Sequence, residues 1–331
     1  MNDEATGRGS GVRPDPDLVL PPPVPVGPHS TAGVAVMAHL RQHVGALLRA
    51  DAGLDADLPE SVHQARVSAR RLRSGLKVYG DLLRDGTSVR LRAELGWYAS
   101  LLSPSRDLEV FGALLTSLAE ATGDARPAEY DAATDFEALA GALVPWLQAR
   151  RTRSHESALV DVRSARASAL RRDLVRTARE PLFTGRAGRP AHKVLAPRVL
   201  EADRRAAARF EALDDRTPAD SWHLARIAAK RARYAAEVGI GPLGRPAQDL
   251  ARLWIEVTEP LGAAQDAVVQ RELVLERIAD PASPLSAVEA FTCGMFVAST
   301  HDRELVAQTE ARDGWAASRR RHSDLRRSLG G

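Results

Sequence analysis

The sequence is poor in cysteine, in aromatic residues and in long apolar runs, and each scarcity excludes a class of protein. The single cysteine, Cys293, excludes an internal disulfide framework and any zinc or iron–sulfur site that needs several cysteines. With only 5% aromatic residues, the chain favours helices packed through small side chains over a β-sandwich. No apolar run is long enough to cross a bilayer, and prolines interrupt the run nearest the N-terminus. We therefore expect a soluble, cytoplasmic protein.

Lysine is also scarce, so arginine carries most of the positive charge. Of the 46 basic residues, 43 are Arg, although the net charge is only +3. The planar guanidinium group suits bidentate contact with phosphate oxygens. A GC-rich genome also favours Arg codons, so composition alone does not decide between a phosphate ligand and codon bias.

The spacing of apolar residues predicts an all-α chain. Residues 1–30 hold seven of the twenty prolines and are expected to form a disordered tail. From Val34 onward apolar residues recur every three or four positions, and no useful stretch alternates with period two. Between breaks rich in Gly and Pro, further helices are predicted over residues 60–83, 88–102, 106–121, 128–150, 155–179, 191–212, 221–238, 246–261, 263–279 and 286–320.

An internal repeat divides the chain into two halves. Residues 63–73 (HQARVSARRLR) align without gaps to residues 223–233 (HLARIAAKRAR), and residues 102–107 align to residues 261–266 in the same order. Two ordered matches at nearly equal offsets indicate a duplicated helical unit. The Pro- and Gly-rich segment between the copies marks their joint. The predicted organisation is a tail over 1–30, a first unit over 31–185 and a second over 186–331.

Both copies predict a helix with one cationic face. At 100° per residue, an arc of about 80° contains five residues of the first copy, namely His63, Arg66, Arg70, Arg73 and Lys77. The second copy repeats this geometry with His223, Arg226, Lys230 and Arg233. No acidic residue interrupts the first face, so the charges are segregated, as is typical of a surface that attracts a polyanion. One such helix is explained by a solvated face without a ligand, but its recurrence favours binding.

Other polar residues offer weaker signals. His39 and His43 have the spacing of two metal ligands, but no glutamate accompanies them and a structural role is preferred. His63 and His223 suit metal binding, proton transfer or hydrogen bonding, of which hydrogen bonding is favoured. Asp107 and the aligned Asp266 are expected to interact favourably with a helix dipole or to pair with an arginine of the cationic face. We predict no metal site, no cofactor and no catalytic residues.

At these residues the chain resembles the CHAD family, the conserved histidine α-helical domain. Residues 63–73 and 223–234 match the family's pattern of a His, an Arg three residues later and a dense basic cluster. Residues 101–110 (LLSPSRDLEV) resemble its helix-linking Arg-Asp motif, and residues 159–174 resemble its basic central helix. The likeness covers residues 34–320.

The resemblance implies two tandem four-helix bundles related by pseudo-twofold symmetry, with basic helix faces that bind inorganic polyphosphate. The expected function is therefore non-enzymatic polyphosphate binding, with localisation to polyphosphate granules as a further expectation. The expected contact residues are His63, Arg66, Arg70, Arg71, Arg73, Lys77, Arg204, Arg205, His223, Arg226, Lys230, Arg231, Arg233 and Tyr234. Because Glu237 replaces Lys77 and Gln265 replaces Arg106 in the second copy, we expect the second half to bind less strongly.

Two other function classes stay open at this point. A nucleic-acid-binding helical protein also meets regular phosphates, but base stacking requires aromatics, and only Tyr79, Trp222 and Tyr234 are near the cationic faces. A metal-dependent phosphohydrolase using His63 and His223 would need a dense carboxylate cluster, which the sequence does not show beside these faces.

Overall fold

The computed structural model describes residues 16–58, 60–121 and 135–330, and over those ranges the chain is largely helical. The α-helices are, in chain order, α1 (Ala32–Leu54), α2 (Ser61–Tyr79), α3 (Thr87–Leu101), α4 (Ser103–Glu120), α5 (Phe136–Val162), α6 (Ala165–Arg179), α7 (Ala191–Glu211), α8 (Ala219–Leu243), α9 (Arg245–Thr258), α10 (Pro260–Ile278) and α11 (Ala287–Gly330). These ranges contain no β-strand, only isolated bridges. The predicted all-α class is confirmed.

Local side-chain chemistry explains where several helices begin. Thr31, Asp135 and Ser164 precede α1, α5 and α6, and each side chain accepts a hydrogen bond from a backbone N–H in the first turn. Pro104 lies in the first turn of α4, where its missing N–H removes no helical hydrogen bond. Gly244 separates α8 from α9 at φ +67°, a conformation that favours glycine.

The order of packed helices repeats between the halves. α1 packs on α2 and α2 on α3, as α7 packs on α8 and α8 on α9, and the pair α4–α5 corresponds to the pair α10–α11. Helices α5 and α6 together span residues 136–179, the same length as the 44-residue α11. In the first half this span is divided into two helices at Ser164, which caps α6. The sequence predicts the break earlier, between residues 150 and 155.

Three hydrophobic clusters hold these helices together. The first cluster joins α1, α2, α3 and α6 and also includes residues of α5, α7 and α8. The second joins α7, α8, α9 and α11, and the stacked rings of Trp254 and Trp315 lie 5.2 Å apart within it. The third combines α4 and α5 with α10 and α11. Because both halves build the third cluster, they share a core, and the division into two four-helix bundles stays a prediction.

Residues 17–30 lie on the fold, unlike the disordered tail that composition predicts. Three apolar side chains of this segment pack against the first cluster, namely Leu18, Leu20 and Val26. The Nε of Arg179 also donates a hydrogen bond to the carbonyl oxygen of Val19 at 2.8 Å. The prolines keep the segment extended, while its few apolar side chains bury enough surface to hold it. Residues 1–15 of the predicted tail lie outside the described ranges.

Candidate functional site

The two helices predicted to carry cationic faces, α2 and α8, pack against each other. The Nε of Arg70 on α2 donates a hydrogen bond to the hydroxyl of Tyr234 on α8 at 2.9 Å. Further along α2, the buried hydroxyl of Tyr79 donates to the carbonyl oxygen of Ala235 at 2.7 Å. These contacts place Arg70 where the two faces meet.

Asp107, in the second turn of α4, lies against the cationic face of α2. Its carboxylate contacts the Arg66 guanidinium at 3.2 Å, and the same guanidinium donates to the carbonyl oxygen of Ser103 at 2.9 Å. This contact is the pairing with an arginine expected for Asp107 from the sequence. The neighbouring Arg106 contacts Glu109 at 3.1 Å. In the first half, therefore, acids already neutralise two of the cations.

One contact near the start of the cationic face corresponds between the two halves. The Nδ1 of His223 donates a hydrogen bond to the Oε1 of Gln265 at 3.1 Å. Gln265 aligns with Arg106, which lies close enough to His63 to act with burial in lowering the pKa of that imidazole. In each half, then, the residue before the aligned aspartate faces the histidine that opens the cationic face. At the histidine, the sequence repeat is also a repeat of neighbours.

The centre of the surface is a group of cations that we call the central cluster: Arg70, Arg226 and Lys230. The Nε of Arg226 is buried without a hydrogen-bond partner, and burial lowers the pKa of its guanidinium. Burial also lowers the pKa of Lys230, one turn further along α8, to about 7, with the nearby arginines acting in the same direction. Asp266 opposes both shifts, yet it forms no ion pair with either cation in the described part of the chain. Positive charge held away from water and acids costs free energy, which a bound anion would recover.

A second cationic group lies where α8 approaches α7 and α3. Burial lowers the pKa of the Arg231 guanidinium, and three further arginines add to this effect, namely Arg92, Arg205 and Arg209. A cleft of about 530 Å³ opens beside Arg231, and its charged lining consists of Lys77, Asp81, Arg198, Glu201, Arg204, Arg205 and Arg231. The structure thus brings Arg204 and Arg205 together with Lys77 and Arg231.

Acidic residues neutralise part of the predicted set. Glu237 lies between Arg233, at 2.9 Å, and Arg71, at 3.6 Å. Glu201 forms the same kind of contact with two arginines of α7, Arg204 and Arg205. Among the described residues, ion pairs involve none of the following expected contacts: Arg70, Arg73, Lys77, Arg226, Lys230 and Arg231. The charge available to a ligand is therefore smaller than the sequence indicates, and it lies on both α2 and α8.

Two arginines beside this surface are absent from the set expected from the sequence, Arg92 and Arg209. Arg209 follows Arg205 by four residues on α7, so helical spacing was a usable signal. Arg92 belongs to α3 and approaches Arg231 only because α3 packs on α2. The same packing brings the guanidinium of Arg73 over α3, where a Cβ at Gly96 would lie 3.5 Å from its Cζ. No local pattern reveals contacts of this kind.

The histidine pair of α1 lies inside the fold. The ring centroids of His39 and His43 are 4.5 Å apart, and both side chains are buried. Burial lowers the pKa of His39 to about 4 and that of His43 to about 3. Within the described residues, no group of three or more His, Cys, Asp or Glu side chains is arranged to hold a metal ion. The pair consists of neutral imidazoles that pack in the core.

Comparison with known proteins relates these features to one family. A family model described as CHAD domain matches residues 38–275. Two uncharacterized proteins of Mycobacterium tuberculosis, MT2285 from strain CDC 1551 / Oshkosh and Rv2226 from strain ATCC 25618 / H37Rv, are each 28% identical over 309 residues. The match covers 87% of this chain and 54% of each relative. This chain thus spans about half the length of these curated relatives.

Two solved structures share the fold. PptA from Streptomyces chartreusis is 22% identical with a TM-score of 0.67, and the match covers 87% of this chain and 100% of PptA. The CHAD domain from the plant Ricinus communis is 24% identical with a TM-score of 0.66, covering 90% of this chain and 96% of the plant chain. At these identities the likeness concerns the fold alone. Separately, none of the helices in the described ranges has the length and apolar character needed to span a membrane.

Proposed function

The chain belongs to the CHAD family, and from that premise we propose that it binds inorganic polyphosphate, without converting it chemically, on the surface formed by α2, α7 and α8. The observation that carries the proposal is the central cluster, in which a buried guanidinium Nε has no partner and a neighbouring lysine has a lowered pKa. Such a cluster is unfavourable in the free protein and becomes favourable when an anion occupies it. A chain of phosphates supplies several anionic groups at once.

The interaction rests on fixed cations replacing mobile counterions. Each guanidinium group donates two parallel hydrogen bonds to phosphate oxygens, while release of counterions from the polyphosphate contributes entropy. The cationic face of α2 extends for about 21 Å, so a longer chain reaches more of the cations than a short one. Affinity should therefore rise with chain length and fall steeply with salt concentration. Binding of this kind would also tether the protein to polyphosphate granules.

The alternative functions have no specific observation in their favour. Base stacking on single-stranded nucleic acid needs exposed aromatic rings, but Tyr79, Trp222 and Tyr234 are all buried. A phosphohydrolase would need a cluster of carboxylates to bind a divalent metal, whereas the described residues contain no group of three or more His, Cys, Asp or Glu side chains arranged to hold one. Polyphosphate binding without catalysis requires only the cations and neither exposed aromatic rings nor a metal ion.

The test is calorimetric titration of polyphosphates of defined length at two salt concentrations. Six cations are reversed to Glu in one variant: Arg66, Arg70, Arg73, Arg226, Lys230 and Arg233. Binding should be lost, while circular dichroism keeps its helical signal. Wild-type binding should weaken at the higher salt concentration. Equal affinity of this variant and the wild type would refute the surface.

A matched control separates the surface from net charge. Six exposed arginines elsewhere on the chain are reversed to Glu: Arg153, Arg189, Arg216, Arg252, Arg319 and Arg320. This variant has the same net charge as the first, so it should keep most of the affinity if the α2–α8 surface binds the ligand. An equal loss in both variants would mean that binding depends on overall charge.

A further inference from the structure

Lys230 differs from the other lysines of the chain. The sequence contains only three, and Lys77 and Lys193 are both exposed, whereas Lys230 is half-buried on α8. No ion pair among the described residues involves Lys230. The chain therefore provides two internal standards against which the reactivity of a third lysine can be measured.

Three arginines act on the Lys230 amine, namely Arg226, Arg70 and Arg233. On α8, Arg226 lies one turn before Lys230 and Arg233 one turn after it, on the same face of the helix. Arg70 reaches this face from α2, where its Nε bonds to the hydroxyl of Tyr234. Among the described residues, Asp266 on α10 forms no ion pair with these groups, whereas Glu237 on α8 contacts Arg233 at 2.9 Å. A phosphate bound by the guanidinium groups would therefore lie beside the Lys230 amine.

The state of this amine differs from that of an ordinary lysine. At pH 7, an amine with a pKa of about 7 is about half unprotonated, compared with roughly 0.04% for a lysine of ordinary pKa. Intrinsic nucleophilicity falls as basicity falls, and with the slope known for thiols the loss is roughly 30-fold. For the protein without a bound anion, the gain in unprotonated amine exceeds that loss and leaves a net advantage of roughly 30-fold. A phosphate dianion beside the amine raises its pKa and so reduces this advantage.

We propose that Lys230 is a modification site for small acyl phosphates: the neighbouring arginines bind the phosphate, and the lysine amine takes the acyl group. The Nζ lone pair attacks the acyl carbon, so a C–N bond forms and the bond between that carbon and the phosphate oxygen breaks. Inorganic phosphate leaves with the electron pair and takes up the amine proton. The products are an amide on Lys230 and hydrogen phosphate, and no further reactant is needed.

Acylation would change the binding surface. It removes the positive charge of Lys230 and covers the central cluster with an uncharged group. The modification itself does not depend on polyphosphate binding, but its effect on that ligand rests on the proposed function. Acylation should lower polyphosphate affinity, and bound polyphosphate should protect Lys230 from acylation.

The test treats the full chain with acetyl phosphate at pH 7 and follows each lysine by peptide mass spectrometry. Lys230 should be acetylated faster than Lys77 and Lys193 by about tenfold or more. Excess inorganic phosphate should slow the acetylation of Lys230 more than that of Lys77 and Lys193. The variant Lys230→Arg, which keeps the charge, confirms the assignment of the modified peptide. Equal rates at the three lysines would overturn the proposal.

A neutral donor separates phosphate recognition from amine basicity. N-hydroxysuccinimidyl acetate carries no phosphate, so in Arg226→Gln the reaction with acetyl phosphate should fall several-fold more than the reaction with this ester. A parallel fall with both donors would show that no phosphate site exists and would also overturn the proposal. Because these assays contain no polyphosphate, their failure is distinguishable from failure of the calorimetric titration.

Discussion

At the aligned positions 66 and 226, the first half pairs its arginine with an acid, whereas the second half leaves its arginine without an ion pair. Arg66 contacts Asp107, but the aligned Arg226 has a buried Nε without a partner. The sequence alone predicts that the second half binds polyphosphate less strongly, because Glu237 and Gln265 replace cations of the first half. A phosphate can use only charge that acids have not neutralised, so a count of basic residues is a poor guide to affinity.

Buried polar groups in the cores show a related contrast. In the first half, His39 and His43 are buried as neutral rings. In the second, the fully buried Asp203 accepts hydrogen bonds from the Nε1 of Trp254 at 3.0 Å and the Nε2 of His322 at 2.8 Å. Protonation of the buried imidazoles in the first core costs folding free energy. We therefore expect the first core to be the more sensitive to acid.

The largest predicted effect is loss of stability in acid, originating in the first half. Because the folded pKa values of His39 and His43 are about 4 and 3, the unfolded chain binds more protons below its own histidine pKa of about 6.5. Stability is therefore complete above pH 6.5 and falls as the pH is lowered towards 4 and then 3. Each ring contributes about 3 kcal/mol or more over the full range.

Urea unfolding between pH 7 and pH 5 checks this expectation, because most carboxylates stay ionised in that window. The variant His39→Gln/His43→Gln should be less stable at pH 7 but should lose much less stability on acidification than the wild type. Identical slopes of stability against pH would assign the acid sensitivity to other groups.

The next largest effect compares aligned arginines of the two halves. Arg226→Gln should weaken polyphosphate binding by about tenfold, since a hydrogen bond to a charged group contributes about 1.5–3 kcal/mol and this guanidinium has no protein partner for its Nε. Arg66→Gln should weaken binding by roughly threefold or less, because Asp107 already neutralises that charge. Titration of both variants under identical salt conditions decides between them. An equal or larger loss with Arg66→Gln would reverse the comparison.

A smaller effect concerns packing at aligned positions of α2 and α8. Gly75 aligns with Ala235, but a Cβ at position 75 would lie only 2.7 Å from the Nε2 of His39. Gly75→Ala gains about 1 kcal/mol of helix propensity and costs about 1–3 kcal/mol through overpacking, so a net loss of about 1 kcal/mol is expected. Chemical unfolding measures it, and His39→Ala should relieve the clash. A more stable Gly75→Ala variant would show that the ring moves without cost.

The sequence predicts well those features of the fold that depend on local pattern. Apolar spacing indicates the helices, and the repeat of His63–Arg73 at His223–Arg233 indicates that two cationic helices share one role. The sequence does not predict features that depend on packing between segments far apart in the chain. The docking of residues 17–30 on the first cluster is one example, and the break at Ser164 in a span that α11 crosses unbroken is another.

The candidate site follows the same division. The positions of Arg70, Arg226 and Lys230 on helix faces could be predicted, because helical geometry fixes them. Their ion-pairing state could not, because Asp107 meets Arg66 across helices while the aligned Asp266 leaves Arg226 without an ion pair. Differences of a few tenths of a nanometre in helix packing decide such contacts, and a single sequence does not specify them.

The smallest effect tests whether neutralising acids weaken binding. Glu237 contacts Arg233 and Arg71, so Glu237→Gln should release both guanidinium groups and raise polyphosphate affinity roughly two- to threefold at low salt. Glu276→Gln is a matched control, because Glu276 contacts Arg150, which is not among the expected contact residues. Both variants gain the same net charge. A larger gain with Glu237→Gln would show that acids set the strength of the surface locally, whereas equal gains would mean that long-range charge attracts the ligand.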